Sequence, residues 1–179
     1  MSRISAVNTE GAQGEEKELF DRVNRKLGRI PNIHKLMGNS PVVLKAYMEL
    51  SDQLAHTSLP IKLREQIALA VGQINGCLYC LAAHAAIGSK AGLSPEEIGD
   101  ARLGRAADPK VEAILKFART AVENRGWASD EDIKALKAHS VSEREIVEII
   151  FAISVNMFTN YFNHIADPEI DFPAVAALK

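Results

Sequence analysis

The sequence predicts an all-α fold, and three observations carry that prediction. Apolar residues recur at helical spacing along most of the chain, as in Leu63, Ile67, Ala70, Val71 and Ile74; this is the pattern of a helix with one buried face. Helix-start signals punctuate it: Ser40-Pro41, Pro60, Ser94-Pro95, Asp108-Pro109 and Ser142. No stretch shows the two-residue alternation of a half-buried strand.

Residues 1–14 contain Gly and Ser and have no period, so a flexible N-terminal arm is expected there. Residues 15–179 are expected to form a single multi-helical domain with a C-terminal tail. A first helix should cover about 15–28 and end near Gly28. A short turn follows in "IPNIHKLMGNSP". Ser40 and Pro41 then read as an N-cap and first helical residue, starting a helix to about His56. Pro60 opens the next helix, and Asn75-Gly76 breaks it. The helix after that runs to Gly92. "SPEE" at 94–97 reads as a capping box. Asp108-Pro109 opens a helix whose apolar face holds Val111, Ile114, Leu115, Ala118, Ala121 and Val122. Ser129 can cap a short helix to about Lys137. Ser142 with Glu145 makes a second capping box, starting a helix to about His164.

That last helix is apolar on most sides, with Ile146, Val147, Ile149, Ile150, Phe151, Ile153, Val155 and Phe158. Such a helix is expected to be buried all round, at the centre of the domain or shared with a neighbouring subunit. Asp167-Pro168 should end it, leaving "DPEIDFP" as a tail without evident role that can lie on a neighbouring subunit. A weak echo at an offset of eighty residues aligns Arg64-Glu65 with Arg144-Glu145 and His84 with His164. It also sets Met157 and Asn160 opposite Cys77 and Cys80.

With 179 residues, 47% hydrophobic and 25% charged, the chain can build a core unaided. Its formal charge of −2 leaves no basic footprint for nucleic acid or an anionic membrane. The N-terminus has no apolar run of signal-peptide length. "IVEIIFAISVNMF" reads as too short for a span and carries Glu148. The expected location is the cytoplasm, where a CxxC pair reads as redox-active or metal-binding.

Both cysteines of the chain fall in one stretch, "NGCLYCLAAHA". Cys77, Cys80 and His84 lie at i, i+3 and i+7, one face of a helix. A helix starting beside Cys77 would favour a thiolate through its free N–H groups and dipole. Two thiols so spaced can also interconvert with a disulfide, a two-electron centre. His84 can accept or relay a proton near neutrality. Glu65 stands twelve residues before Cys77, and a helical hairpin could bring it back beside Cys80 and His84. The blander readings are buried cysteines, a core histidine, a solvated Glu65, a packing Tyr79, and zinc held by the cysteines with His84. His34, His56 and His139 read as surface or core residues, and His164 as a faint site candidate.

Together, Glu65-x11-Cys77-x-Tyr79-Cys80-x3-His84 closely resembles the core motif of the alkylhydroperoxidase AhpD family, within the carboxymuconolactone decarboxylase superfamily. The resemblance spans about residues 30–172, with flanks like the peroxidase-related branch. It implies an AhpD-like helical fold in a homo-oligomer, a trimer or hexamer. It implies reduction of organic hydroperoxides, with Cys80 peroxidatic and Cys77 resolving through a Cys77–Cys80 disulfide. Glu65 and His84 would form a proton relay through water, which Tyr79 would help to order. It implies no cofactor and no metal, and an external dithiol or lipoyl-type reductant. Two other functions stay open: a thiol–disulfide oxidoreductase or sensor acting on a protein or lipoyl partner, and a non-catalytic zinc-binding helical module.

Overall fold

The structure, a computed structural model, describes residues 2–175 and 178. Among the described residues nine α-helices follow one another without a strand: α1 (Gly14–Leu27), α2 (Asn32–Met37), α3 (Pro41–Ala55), α4 (Ile61–Asn75), α5 (Leu78–Lys90), α6 (Pro95–Arg102), α7 (Pro109–Glu123), α8 (Asp130–Ala138) and α9 (Glu143–Ala166). Their starts are set locally. Ser94 and Ser142 form the expected capping boxes with Glu97 and Glu145. A third box joins Ser129 to Asp132. Asp108 accepts from the N–H groups of Lys110 and Val111. Ser40 departs from expectation: it stands at the N-cap of α3, but its side chain makes no capping bond. Pro41 supplies that start instead, because its ring presets φ and it lacks one of the N–H groups a cap would satisfy.

Helix α4 is the hub, packed by α5, α6, α7 and α9. Its last turn closes through Gly76, at φ 67°, with the Cys77 N–H reaching the Gly72 carbonyl at 2.9 Å. This left-handed cap turns the chain back so that α5 runs along α4. Two apolar clusters result. The larger joins α4 and α5 to α6–α9 around Ile67, Leu69, Leu81, Leu115 and Ile149. The smaller joins α1–α3 to the first turn of α5, through Phe20, Met37, Leu44, Cys77, Tyr79 and Cys80. The start of α5 is thus a wedge between two cores. Burial of each large side chain there contributes about 1.5–3 kcal/mol.

Three features refine the sequence reading. The arm is tied down at several points: the Arg3 N–H donates to the Ala166 carbonyl and the Val7 N–H to that of Lys35, and Ala12 is buried. The C-terminal tail folds back on its own chain, where Asp171 bonds to Tyr79 and Asn32. Helix α9, at 24 residues, is long and apolar enough to cross a membrane by length and composition. It packs as a core helix on α4, α3, α7 and α5. It is not buried all round, because Val147, Ile150, Tyr161 and Ile165 are 66%, 50%, 57% and 72% exposed.

Candidate active site

The α4–α5 hairpin brings Glu65 beside His84, and the carboxylate Oε2 lies 2.7 Å from the imidazole Nδ1. Both side chains are largely sheltered, 13% and 23% exposed. Gly88 faces this seam: a Cβ there would meet the Glu65 Cβ at an ordinary 3.6 Å, but would fall 2.9 Å from the Leu93 side chain just beyond α5.

Cys77 is the N-cap of α5, and its sulfur accepts from the Cys80 N–H at 3.3 Å. Cys77 and Cys80 are joined in a disulfide across this first turn. Both are almost wholly buried, but only Cys80 of the two lines the adjoining cavity of about 360 Å³. Glu65 and His84 line the same cavity. Neither hydrogen-bonds to a sulfur directly; a water or a small movement must bridge the gap, as is common before substrate binds.

The direct donors to Cys80 come from α9. The amide Nδ2 groups of Asn160 and Asn163 stand 3.1 and 3.2 Å from its sulfur. Asn75 donates to Asn160 Oδ1 at 2.8 Å, which fixes that amide with its N–H groups toward the sulfur. The Asn163 Oδ1 is buried without a partner. Amide donors aimed at a sulfur stabilise its thiolate. Sequence reasoning did not name these asparagines as site residues. Asn156, Asn160 and Asn163 recur on one face of an otherwise apolar helix, which was a usable signal. The eighty-residue echo had set Asn160 opposite Cys80.

The Tyr79 hydroxyl makes no direct hydrogen bond to Glu65 or His84. It donates to Asp171 at 2.7 Å and accepts from the Ile33 N–H at 3.3 Å. Burial, helped by the bond to Asp171, pushes its pKa up. The ring lies along the cavity wall, but the hydroxyl serves the C-terminal tail. His164 is exposed and lies outside the cavity lining.

His34 and Tyr47 line the cavity, although the sequence left His34 as an ordinary residue and did not single out Tyr47. Their rings pack 5.7 Å apart. Burial lowers the His34 pKa to about 4, and its Nδ1 has no partner. Burial and the nearby Glu65 charge raise Tyr47 to about 12. Both groups are therefore neutral at pH 7, and with Val23, Met48 and Leu54 they form an uncharged part of a wall that elsewhere carries Arg29, Arg64, Glu65 and Lys90. Among the described residues, no three His, Cys, Asp or Glu side chains gather as a metal-holding group.

The family model that matches, over residues 41–124, is that of the carboxymuconolactone decarboxylase family. No curated protein matches the sequence. Several solved structures share the fold. An uncharacterized peroxidase-related protein with an alkylhydroperoxidase AhpD core, from Ralstonia eutropha JMP134, is 22% identical with a TM-score of 0.84, covering 95% of this chain and 92% of its own. Another uncharacterized peroxidase-related protein, from Silicibacter sp. TM1040, is 23% identical with a TM-score of 0.76, covering 99% and 97%. The debrominase Bmp8, as a cysteine-to-alanine variant in complex with 2,3,4-tribromopyrrole, is 21% identical with a TM-score of 0.82, covering 96% and 94%. The matched segment, residues 41–124, encloses the Glu65–His84 pair and both cysteines, and the all-helical architecture is the one shared with the AhpD-like peroxidase-related structures.

Proposed function

We propose that this protein is a thiol-dependent reductase of organic hydroperoxides. One observation carries the reading: a Cys77–Cys80 disulfide opens, through Cys80, onto a cavity that also holds the Glu65–His84 pair. Glu65 and His84 draw the proton from Cys80, and Asn160 and Asn163 stabilise the thiolate. The Cys80 sulfur attacks the terminal peroxide oxygen; an S–O bond forms, the O–O bond breaks, and the alkoxide takes a proton from the relay to leave as alcohol. Cys80 is then a sulfenic acid. The Cys77 thiolate attacks that sulfur; the S–S bond forms, the S–O bond breaks, and hydroxide leaves as water after gaining a proton. An external dithiol or lipoyl-type thiol reduces the disulfide by exchange. The net change is ROOH plus two thiols to ROH, water and a disulfide. The reading assigns this work to the cytoplasm and to a homo-oligomer.

The assignment of the two sulfurs is tested by single variants. C80S should consume no hydroperoxide. C77S should complete one turnover and stop at a sulfenic acid that dimedone traps. Retained turnover in C80S, with none in C77S, would reverse the roles.

The likeness to Bmp8 favours a second reading, reductive dehalogenation. Two thiols and an organic bromide would give the C–H product, bromide, a proton and the same disulfide. Bromide release from 2,3,4-tribromopyrrole by the reduced protein, in preference to hydroperoxide turnover, would select it. Pure thiol–disulfide exchange would show neither reaction, with fast reduction of protein or lipoyl disulfides.

A further inference from the structure

The tail that lacked a role in the sequence contributes one side chain, Phe172, to the cavity wall. Asp167, at φ 53°, ends α9, and Pro168 cannot continue a helix. The chain doubles back to α2, where Asn32 Nδ2 donates to the Glu169 carbonyl at 3.0 Å. Asp171 is the main anchor. Its Oδ1 accepts from the Tyr79 hydroxyl at 2.7 Å. Its Oδ2 accepts from the Asn32 N–H at 3.0 Å and pairs with Arg29 at 3.1 Å. These bonds fix the next residue. Phe172 packs edge-on against Tyr79, with ring centroids 5.6 Å apart. The Arg29 guanidinium lies over the Phe172 ring at 4.3 Å. So held, Phe172 lines the cavity that Cys80 opens onto.

We propose that residues 167–173 form a strap in which Asp171 is the latch and Phe172 is the residue that sets how bulky an apolar substrate can reach Cys80. The idea rests on the reading of this cavity as the place where Cys80 meets its substrate. Tyr79 is then a positioning residue: one turn of α5 carries the reacting sulfur and the hydroxyl that ties down the opposite wall. The lining mixes charged groups, among them Arg29, Arg64, Glu65 and Lys90, with apolar side chains such as Val23, Met48, Leu54 and Ile87, so the shape of the apolar wall sorts substrates alongside charge. Phe172 is only partly buried, and its truncation removes a wall without hollowing the core.

The test uses the whole reduced protein and two thiol probes, small iodoacetamide and bulky N-benzylmaleimide. The rate of each at Cys80 is read by peptide mass in wild type, F172A, F172W and D171N. The expected result is a rise of about tenfold in the bulky-to-small rate ratio for F172A, the scale of discrimination an apolar wall provides. D171N should raise the ratio less, and F172W should lower it below wild type. A ratio that stays constant across the four proteins, even if both rates change together, overturns the strap. Because the probes are not peroxides, this result stands apart from success or failure of the peroxidase reading.

Discussion

Cys77 and Cys80 share a turn but not an environment. Cys77 sits at the helix start, where dipole and free N–H groups are strongest; the effect fades within the first turn. Cys80, further in, instead has two asparagine amides and lies on the cavity with the Glu65–His84 pair. A base is therefore needed at Cys80 more than at Cys77. Glu65→Gln keeps the shape and a hydrogen bond to His84 while removing the charge. It should slow peroxide attack by about 10²-fold or more, the usual share of a general base. Stopped-flow peroxide consumption in the reduced protein measures this, with the thermal midpoint close to wild type. Rates equal to wild type would remove Glu65 from the chemistry. At this scale the motif was legible in part. Spacing put Glu65 near His84 because both lie on helices of one hairpin. The Tyr79 hydroxyl's partner, Asp171, was not legible, because it lies 92 residues away on a tail with no periodicity.

Elements were the most legible level, since a helix start is encoded within four residues. The capping boxes at Ser94 and Ser142 stand where the sequence puts them, and Ser40 fails only in its side chain. Glu145 carries more than its cap. Lys110, on α7, pairs with it at 2.7 Å, and that bond first, then the Ser142 cap, lowers its pKa to about 2. A carboxylate whose pKa falls on folding from its ordinary 4.5 stabilises the fold fully above about pH 4.5. That stability is lost as pH falls through about 2. Glu145→Gln should therefore cost about 1 kcal/mol at pH 7, discounted for partial exposure of the pair. The cost should vanish near pH 2. Thermal midpoints of both proteins across pH 2–7 check this; a gap independent of pH would mean that charge plays no part in joining α7 to α9.

For the whole molecule, sequence periodicity fixes which helices form but not which of their faces meet. Helix α9 shows the limit. Its composition suggested burial all round, yet one side faces α4 and the cysteines while Val147, Ile150, Tyr161 and Ile165 remain exposed at helical spacing. Such a stripe is what a second subunit would cover. We expect the protein to be oligomeric at micromolar concentration and the pair I150E and I165E to make it monomeric with unchanged helical circular dichroism. Light scattering after size exclusion measures both. A monomeric wild type would leave the stripe unexplained by self-association. The strap and the N-terminal arm belong to this scale too. Both are held by contacts more than a hundred residues apart, such as Arg3 with the His164 carbonyl and Arg29 with Asp171, which no local pattern announces.

The central claim is that Cys77 and Cys80 are oxidised together by an organic hydroperoxide. Intact mass of the reduced protein after one equivalent of cumene hydroperoxide, with metal content measured on the same sample, tests it most directly. Loss of two hydrogens with no bound zinc is the expected result. An unchanged mass would contradict the claim: with one zinc bound, the cysteines are ligands, and without zinc, their partner is another thiol or disulfide.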